Sequence, residues 1–177
     1  MNKLITLAFL SIINFCIAQE HSSPVKWLTF DKAILLSKEN PKKIFIDTYT
    51  DWCGWCKRMD AITFTNPVIA EILNKYYYPV KLNGEYKDTI IYKGYTFINP
   101  NPSGMRSPHQ LVMKLLDGRL GFPAVVFLDE NQDRITTAPG YREPAEMEII
   151  LNYIKDNAYK SMKFEEYKAK FTSKISK

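Results

Sequence analysis

The chain has 177 residues, of which 46% are hydrophobic and 24% charged. That is room for one domain with its own core and too little for two. The composition excludes a disordered chain and one that depends on disulfide staples. The net charge of +5 is spread along the chain and mixed with acids, as in "KDNAYKSMKFEEYKAK", which points to a solvated surface and away from nucleic-acid binding.

At the start, "MNKLITLAFLSIINFCIAQ" sets one lysine before an apolar run, then small or neutral residues before Gln19. This is the layout of a secretory signal peptide, residues 1–18, cleaved after Ala18. The run falls short of the about 20 residues a membrane span needs. Cleavage removes Cys16 and leaves Cys53 and Cys56 in an exported, oxidising compartment, expected to be the periplasm.

Residues 19–26 read as a flexible lead-in. "LTFDKAILLSKENPKK" predicts a helix capped by Thr29, with Phe30, Ala33, Ile34 and Ser37 on one face and Asn40–Pro41 at its end. "KIFIDTYT" predicts a buried strand. A helix follows with Cys53 in its first turn, and Asn66–Pro67 starts another. "YYPVKLN" is the next strand. "TIIYKGYTF" predicts a hairpin turning at Lys93–Gly94, and "NPNPSG" a loop. Ser107–Pro108–His109–Gln110 predicts a capping box opening the helix "HQLVMKLL", closed by Gly118. "FPAVVFLD" and "RITTA" are strands, Pro144 opens a helix, and 161–177 carries a last charged one. The order predicts an α/β fold, with a mixed central sheet and helices on both faces.

The chemistry concentrates in "DTYTDWCGWCKRMD". A haem anchor needs histidine directly after the second cysteine, and Lys57 stands there. A structural zinc site needs four ligands, and only His21, in a tail, and His109, at a helix start, could join the cysteines. No metal is expected. A purely structural disulfide closing so short a loop stabilises little, and stays open as an alternative. Redox chemistry fits best. The strand-to-helix junction offers a Cys53 thiolate free N–H groups and the positive end of the helix dipole. Cys56, one turn on, is placed to resolve a mixed disulfide.

Several residues in register resemble thioredoxin. "WCGWCK" resembles its W-C-G-P-C-K motif. Asp47 falls on the family's buried aspartate, and Lys81 in "VKLN" on the lysine facing it. "GFPAVVFLD" resembles the cis-proline segment, with Pro123 after Phe122, and "PGY" the late glycine turn. The chain looks closest to exported thioredoxin-like proteins and to the periplasmic thioredoxin-like domain of the transmembrane disulfide reductase.

The resemblance implies a three-layer α/β/α sandwich over 27–160, with a hairpin and helix insertion at 84–118 before the cis-proline strand. That insertion either borders the site and shapes partner choice or only adds surface. The resemblance also implies roles: Cys53 as nucleophile, Cys56 as resolving thiol, Asp47 as proton acceptor, and Lys57 and Lys81 in support. Trp52, Gly54, Trp55, Phe122 and Pro123 would meet substrate. The implied redox group is the Cys53–Cys56 disulfide itself, with no other cofactor. The implied partners are disulfide-containing proteins and a membrane-bound electron donor, and the implied state is a monomer. Gly-Trp replaces Gly-Pro between the cysteines, so redox poise does not carry over directly. Without a histidine at that position, a reductase-like potential on the order of −200 to −270 mV is expected. A binding module with a structural disulfide, and a disulfide oxidase or isomerase, are the alternatives.

Overall fold

Strand β1 (Lys43–Tyr49) is buried on both faces along almost its whole length, and its side chains alternate between two cores. In the computed structural model, which describes residues 24–175, it lies inside a four-stranded mixed sheet. It pairs in parallel with β2 (Tyr77–Asn83) and antiparallel with β5 (Ala124–Leu128), and β6 (Arg134–Pro139) pairs antiparallel with β5. The signal-peptide reading, Cys16 and His21 lie outside the described residues.

Ile44 and Ile46 face α1 (Phe30–Glu39) and α4 (Gln110–Leu115), through Phe30, Ala33, Ile34, Leu111 and Leu115. Phe45 faces α2 (Gly54–Ile62), α3 (Pro67–Tyr76) and α5 (Pro144–Lys155), through Met59, Ile69 and Met147. This is the predicted three-layer sandwich. Trp27, Phe64, Tyr77 and Phe127 surround Phe45 at ring-centroid distances from 5.5 to 6.4 Å. By the same alternation Asp47 shares the Phe45 face, which is the face that α2 covers.

The predicted caps form. Thr29 Oγ1 accepts from the Lys32 N–H, and Asn66 Oδ1 accepts from the Val68 N–H at 3.0 Å. Asn66→Ala is expected to lower stability by about 1 kcal/mol, read as a drop in the urea midpoint. An unchanged midpoint would mean water replaces the cap without loss.

Two expectations need correction, and a third gains detail. Ser107 is not the cap of α4. His109 is, its Nδ1 accepting from the Leu111 N–H at 3.2 Å, while the Ser107 hydroxyl donates to Asn99 Oδ1 at 2.6 Å. The lead-in is ordered at least from Pro24. Val25 is buried, Asn74 Oδ1 accepts from the Lys26 N–H, and Asn74 Nδ2 donates to the Pro24 carbonyl. The predicted hairpin forms as β3 (Ile90–Tyr92) and β4 (Tyr95–Phe97), turning through positive φ at Lys93 and Gly94, but as a separate sheet. Tyr92 donates to the Gln132 carbonyl and Lys93 pairs with Asp133, both on the β5–β6 turn. That turn lies at the opposite end of the sheet from the cysteines, so the hairpin does not border them.

At the C-terminus α6 (Phe164–Lys170) sets Phe164 and Tyr167 against Tyr153 of α5. Buried Glu148 then accepts from the Lys174 N–H and the Ser173 hydroxyl. The tail is thus folded onto the domain.

Candidate active site

Cys53 is the N-cap of α2. Extended backbone at Cys53 (φ −78°, ψ 103°) ends the loop after β1, and its Sγ accepts from the Cys56 N–H at 3.1 Å. A cap sulfur among free helix N–H groups at the positive end of the dipole is favoured as its anion. Cys53 and Cys56 form a disulfide with a Cα–Cα distance of 5.3 Å. Both are nearly buried, at 5% and 2% exposure, under flanking tryptophans that are 53% (Trp52) and 58% (Trp55) exposed. Gly54 opens on empty space where a side chain would stand. The Lys57 side chain is exposed, on the helix face away from the core.

Behind the disulfide lies a charged cluster inside the apolar layer. Asp47 is fully buried. Lys81, directly opposite it in the β1–β2 register, pairs with Asp47 Oδ2 at 2.6 Å. Lys81 also pairs with Asp60, a partner that sequence reasoning missed. Asp60 sits one helical turn after Cys56 on α2, so the two share a side of that helix. The Lys81 ammonium also lies about 5 Å from the ring centroids of Trp27, Tyr49 and Phe64.

Burial pushes the Asp47 carboxyl up to about 6. The Lys81 ammonium pulls it down but is outweighed, and the neighbouring Asp60 charge adds to the rise. Burial alone would lower Lys81, yet its two carboxylates hold it above the usual lysine value. Asp47 Oδ1 has no hydrogen-bond partner among the described residues. The other oxygen, Oδ2, is committed to Lys81.

The Phe122–Pro123 peptide bond is cis, and buried Pro123 leads into β5, next to the end of β1 that precedes the cysteine loop. Phe122 stands edge-on to Trp52 at 6.2 Å. The ring packs against Gly84, where a Cβ would fall 2.3 Å from it and push it aside. Trp55 leans on Tyr141 at 5.4 Å, just after the turn at Gly140, whose φ is +86°. Trp52, Trp55, Phe122 and Pro123 are therefore arranged about the disulfide, and Lys57 is not drawn into the cluster.

Two further neighbours come from the insertion. Glu85 accepts from Trp52 Nε1 at 3.0 Å, and the Arg106 guanidinium lies 5.1 Å from the Trp52 ring centroid. The sequence carries no local signal for either. Among the described residues no group of three or more His, Cys, Asp or Glu side chains could hold a metal, and no helix is long and apolar enough to cross a membrane.

Comparison with known proteins agrees with this geometry. The family model Thioredox_DsbH, described as "Protein of unknown function, DUF255", matches residues 13–99. The thiol:disulfide interchange protein DsbD of Pectobacterium atrosepticum is 24% identical over 128 residues, 71% of this chain. The chain spans only 18% of that protein's length. Among solved structures, a DsbH oxidoreductase superposes with a TM-score of 0.55 at 17% identity, over 90% of this chain and 96% of that one. A thioredoxin from Thermus thermophilus gives 0.55 at 15% identity, over 75% and 88%. At these identities the superpositions establish the fold.

Proposed function

We propose that this chain, which has a thioredoxin-like fold and matches the Thioredox_DsbH family model over residues 13–99, is an exported thiol–disulfide oxidoreductase that reduces disulfides of envelope proteins. The observation that carries the reading is the Cys53–Cys56 disulfide at a helix N-terminus, with a buried acid of raised pKa on the sheet face which that helix covers.

In the reduced protein the Cys53 thiolate attacks one sulfur of a substrate disulfide. A Cys53–substrate disulfide forms, and the other substrate sulfur leaves as a thiolate and takes a proton from water. Cys56 then gives its proton to the Asp47 carboxylate and attacks Cys53 Sγ. The mixed disulfide breaks and the second substrate sulfur leaves, so the substrate gains two electrons and the protein loses two. A dithiol donor restores the pair by the reverse exchange. In an exported compartment that donor is a membrane-bound reductase, and the cysteine pair is the only redox group required. The signal-peptide layout of residues 1–18 supports export.

Insulin reduction with dithiothreitol as donor tests the reading. The wild type is expected to accelerate it, and the Cys53→Ser/Cys56→Ser double variant is not. Equal rates would leave only a binding module with a structural disulfide. Equilibration with glutathione tests the direction. A potential on the order of −200 to −270 mV supports a reductase, and one near −120 mV makes the protein an oxidase instead.

A further inference from the structure

We propose that Glu85 and the loop 102–106 form a selectivity wall beside Trp52, favouring substrate segments with apolar side chains next to the disulfide cysteine. The inference rests on the oxidoreductase reading and adds the substrate's chemistry to it.

A cleft of about 360 Å³ opens beside Trp52, the residue before Cys53, lined among others by Asp51, Glu85, Lys87, Pro102, Met105 and Arg106. Ligand clefts run from roughly 300 to 1,000 Å³, so this one takes a few side chains rather than a folded partner. Trp52 is contacted on three sides: by Glu85 at its indole N–H, by Arg106 over the ring and by Phe122 at the edge. Two of those three come from the insertion.

The wall is built in advance. Buried Asn99 ties its base, with Nδ2 donating to the Tyr86 and Ser107 carbonyls while Oδ1 accepts from the Ser107 hydroxyl and the Asn101 N–H. Arg106 is held at φ 57°, a left-handed backbone that a long side chain adopts only at a cost. Its guanidinium is set over Trp52, and the adjacent Met105 stands 94% exposed. Methionine is the adaptable apolar contact, and it makes favourable sulfur–aromatic approaches.

Charge and position choose the occupant. Two acids, Asp51 and Glu85, face two bases, Lys87 and Arg106, so the lining favours neither an acidic nor a basic segment. Glu85 and Arg106 are already engaged with Trp52. The apolar surface of the lining is Trp52, Pro102 and Met105. Trp52 directly precedes Cys53, so a chain whose sulfur reaches Cys53 lays its neighbouring residues across this cleft. Extended chains alternate their side chains, so one flank of the cysteine meets the wall.

The test uses short cyclic disulfide peptides, identical except for Leu or Glu beside each cysteine, and 2-hydroxyethyl disulfide as a substrate without flanks. Reduced wild-type protein is expected to react about tenfold faster with the Leu peptide than with the Glu peptide, the size that partial burial of one leucine gives. In Met105→Ser, which removes the apolar contact without adding charge, that ratio is expected to fall to about one. The position is exposed, so folding should survive, and the ratio is taken within each variant. No Leu preference in the wild type, or an undiminished one in Met105→Ser, overturns the wall. Wild type inert towards 2-hydroxyethyl disulfide overturns the oxidoreductase reading, and the wall with it.

Discussion

Cys56→Ser is expected to accumulate on non-reducing gels as mixed disulfides between Cys53 and envelope proteins, all released by dithiothreitol. The variant keeps the nucleophile at the helix N-cap and loses the thiol one turn on that would free it. Turnover of insulin should fall on the order of 10³-fold or more, because a nucleophile and its resolving group act as a unit. Cys53→Ser should lose turnover equally and trap nothing. The asymmetry follows from position: the Cys53 sulfur accepts a helix N–H, whereas Cys56 is further buried, on the side of α2 that also carries Asp60. Trapping by Cys53→Ser as strong as by Cys56→Ser would exchange the two roles. The adducts, identified from an envelope extract, would also report whether Leu, Ile, Val or aromatic residues flank the captured cysteine, as the wall beside Trp52 requires.

What the sequence made legible was whatever local chemistry decides. Thr29 and Asn66 cap helices because their side-chain oxygens reach N–H groups two or three residues on, and "YKGY" turns because Lys93 and Gly94 take positive φ. Asp47 and Lys81 could be paired in advance because the resemblance to thioredoxin implies it, and the β1–β2 register sets them opposite each other. Elsewhere a long-range contact overrode the local pattern. Ser107 satisfies a capping box on paper, but Asn99, eight residues earlier, engages its hydroxyl and leaves His109 to cap. Asp60 reads as one more surface acid on α2. Only the crossing of that helix over β2 brings it to Lys81. The insertion split in a way no composition shows, its hairpin tied to the β5–β6 turn and its loop to Trp52.

The second large effect separates stability from rate at Asp47. Its carboxyl is raised to about 6 in the folded protein from 3.8, chiefly by burial. Between those values the folded state binds more protons than the unfolded one, so stability present at low pH is lost as pH rises through the window. Above it, the buried charge costs roughly 3 kcal/mol. Asp47→Asn removes that charge. Lys81 keeps Asp60 as a partner, so the oxidised variant should be more stable near neutral pH by about 2 kcal/mol, and nearly unchanged at about pH 4, in urea unfolding. The rate should move the other way. If the Asp47 carboxylate takes the Cys56 proton, resolution of a preformed mixed disulfide speeds up in the wild type as pH rises through about 6. In Asp47→Asn that rise should vanish, with the step about 100-fold slower near neutrality. Stabilisation with an unchanged pH–rate profile would reduce Asp47 to a buried partner of Lys81. Stabilisation together with a flattened profile would mean that the fold tolerates an unfavourable buried charge because the second thiol needs somewhere to send its proton.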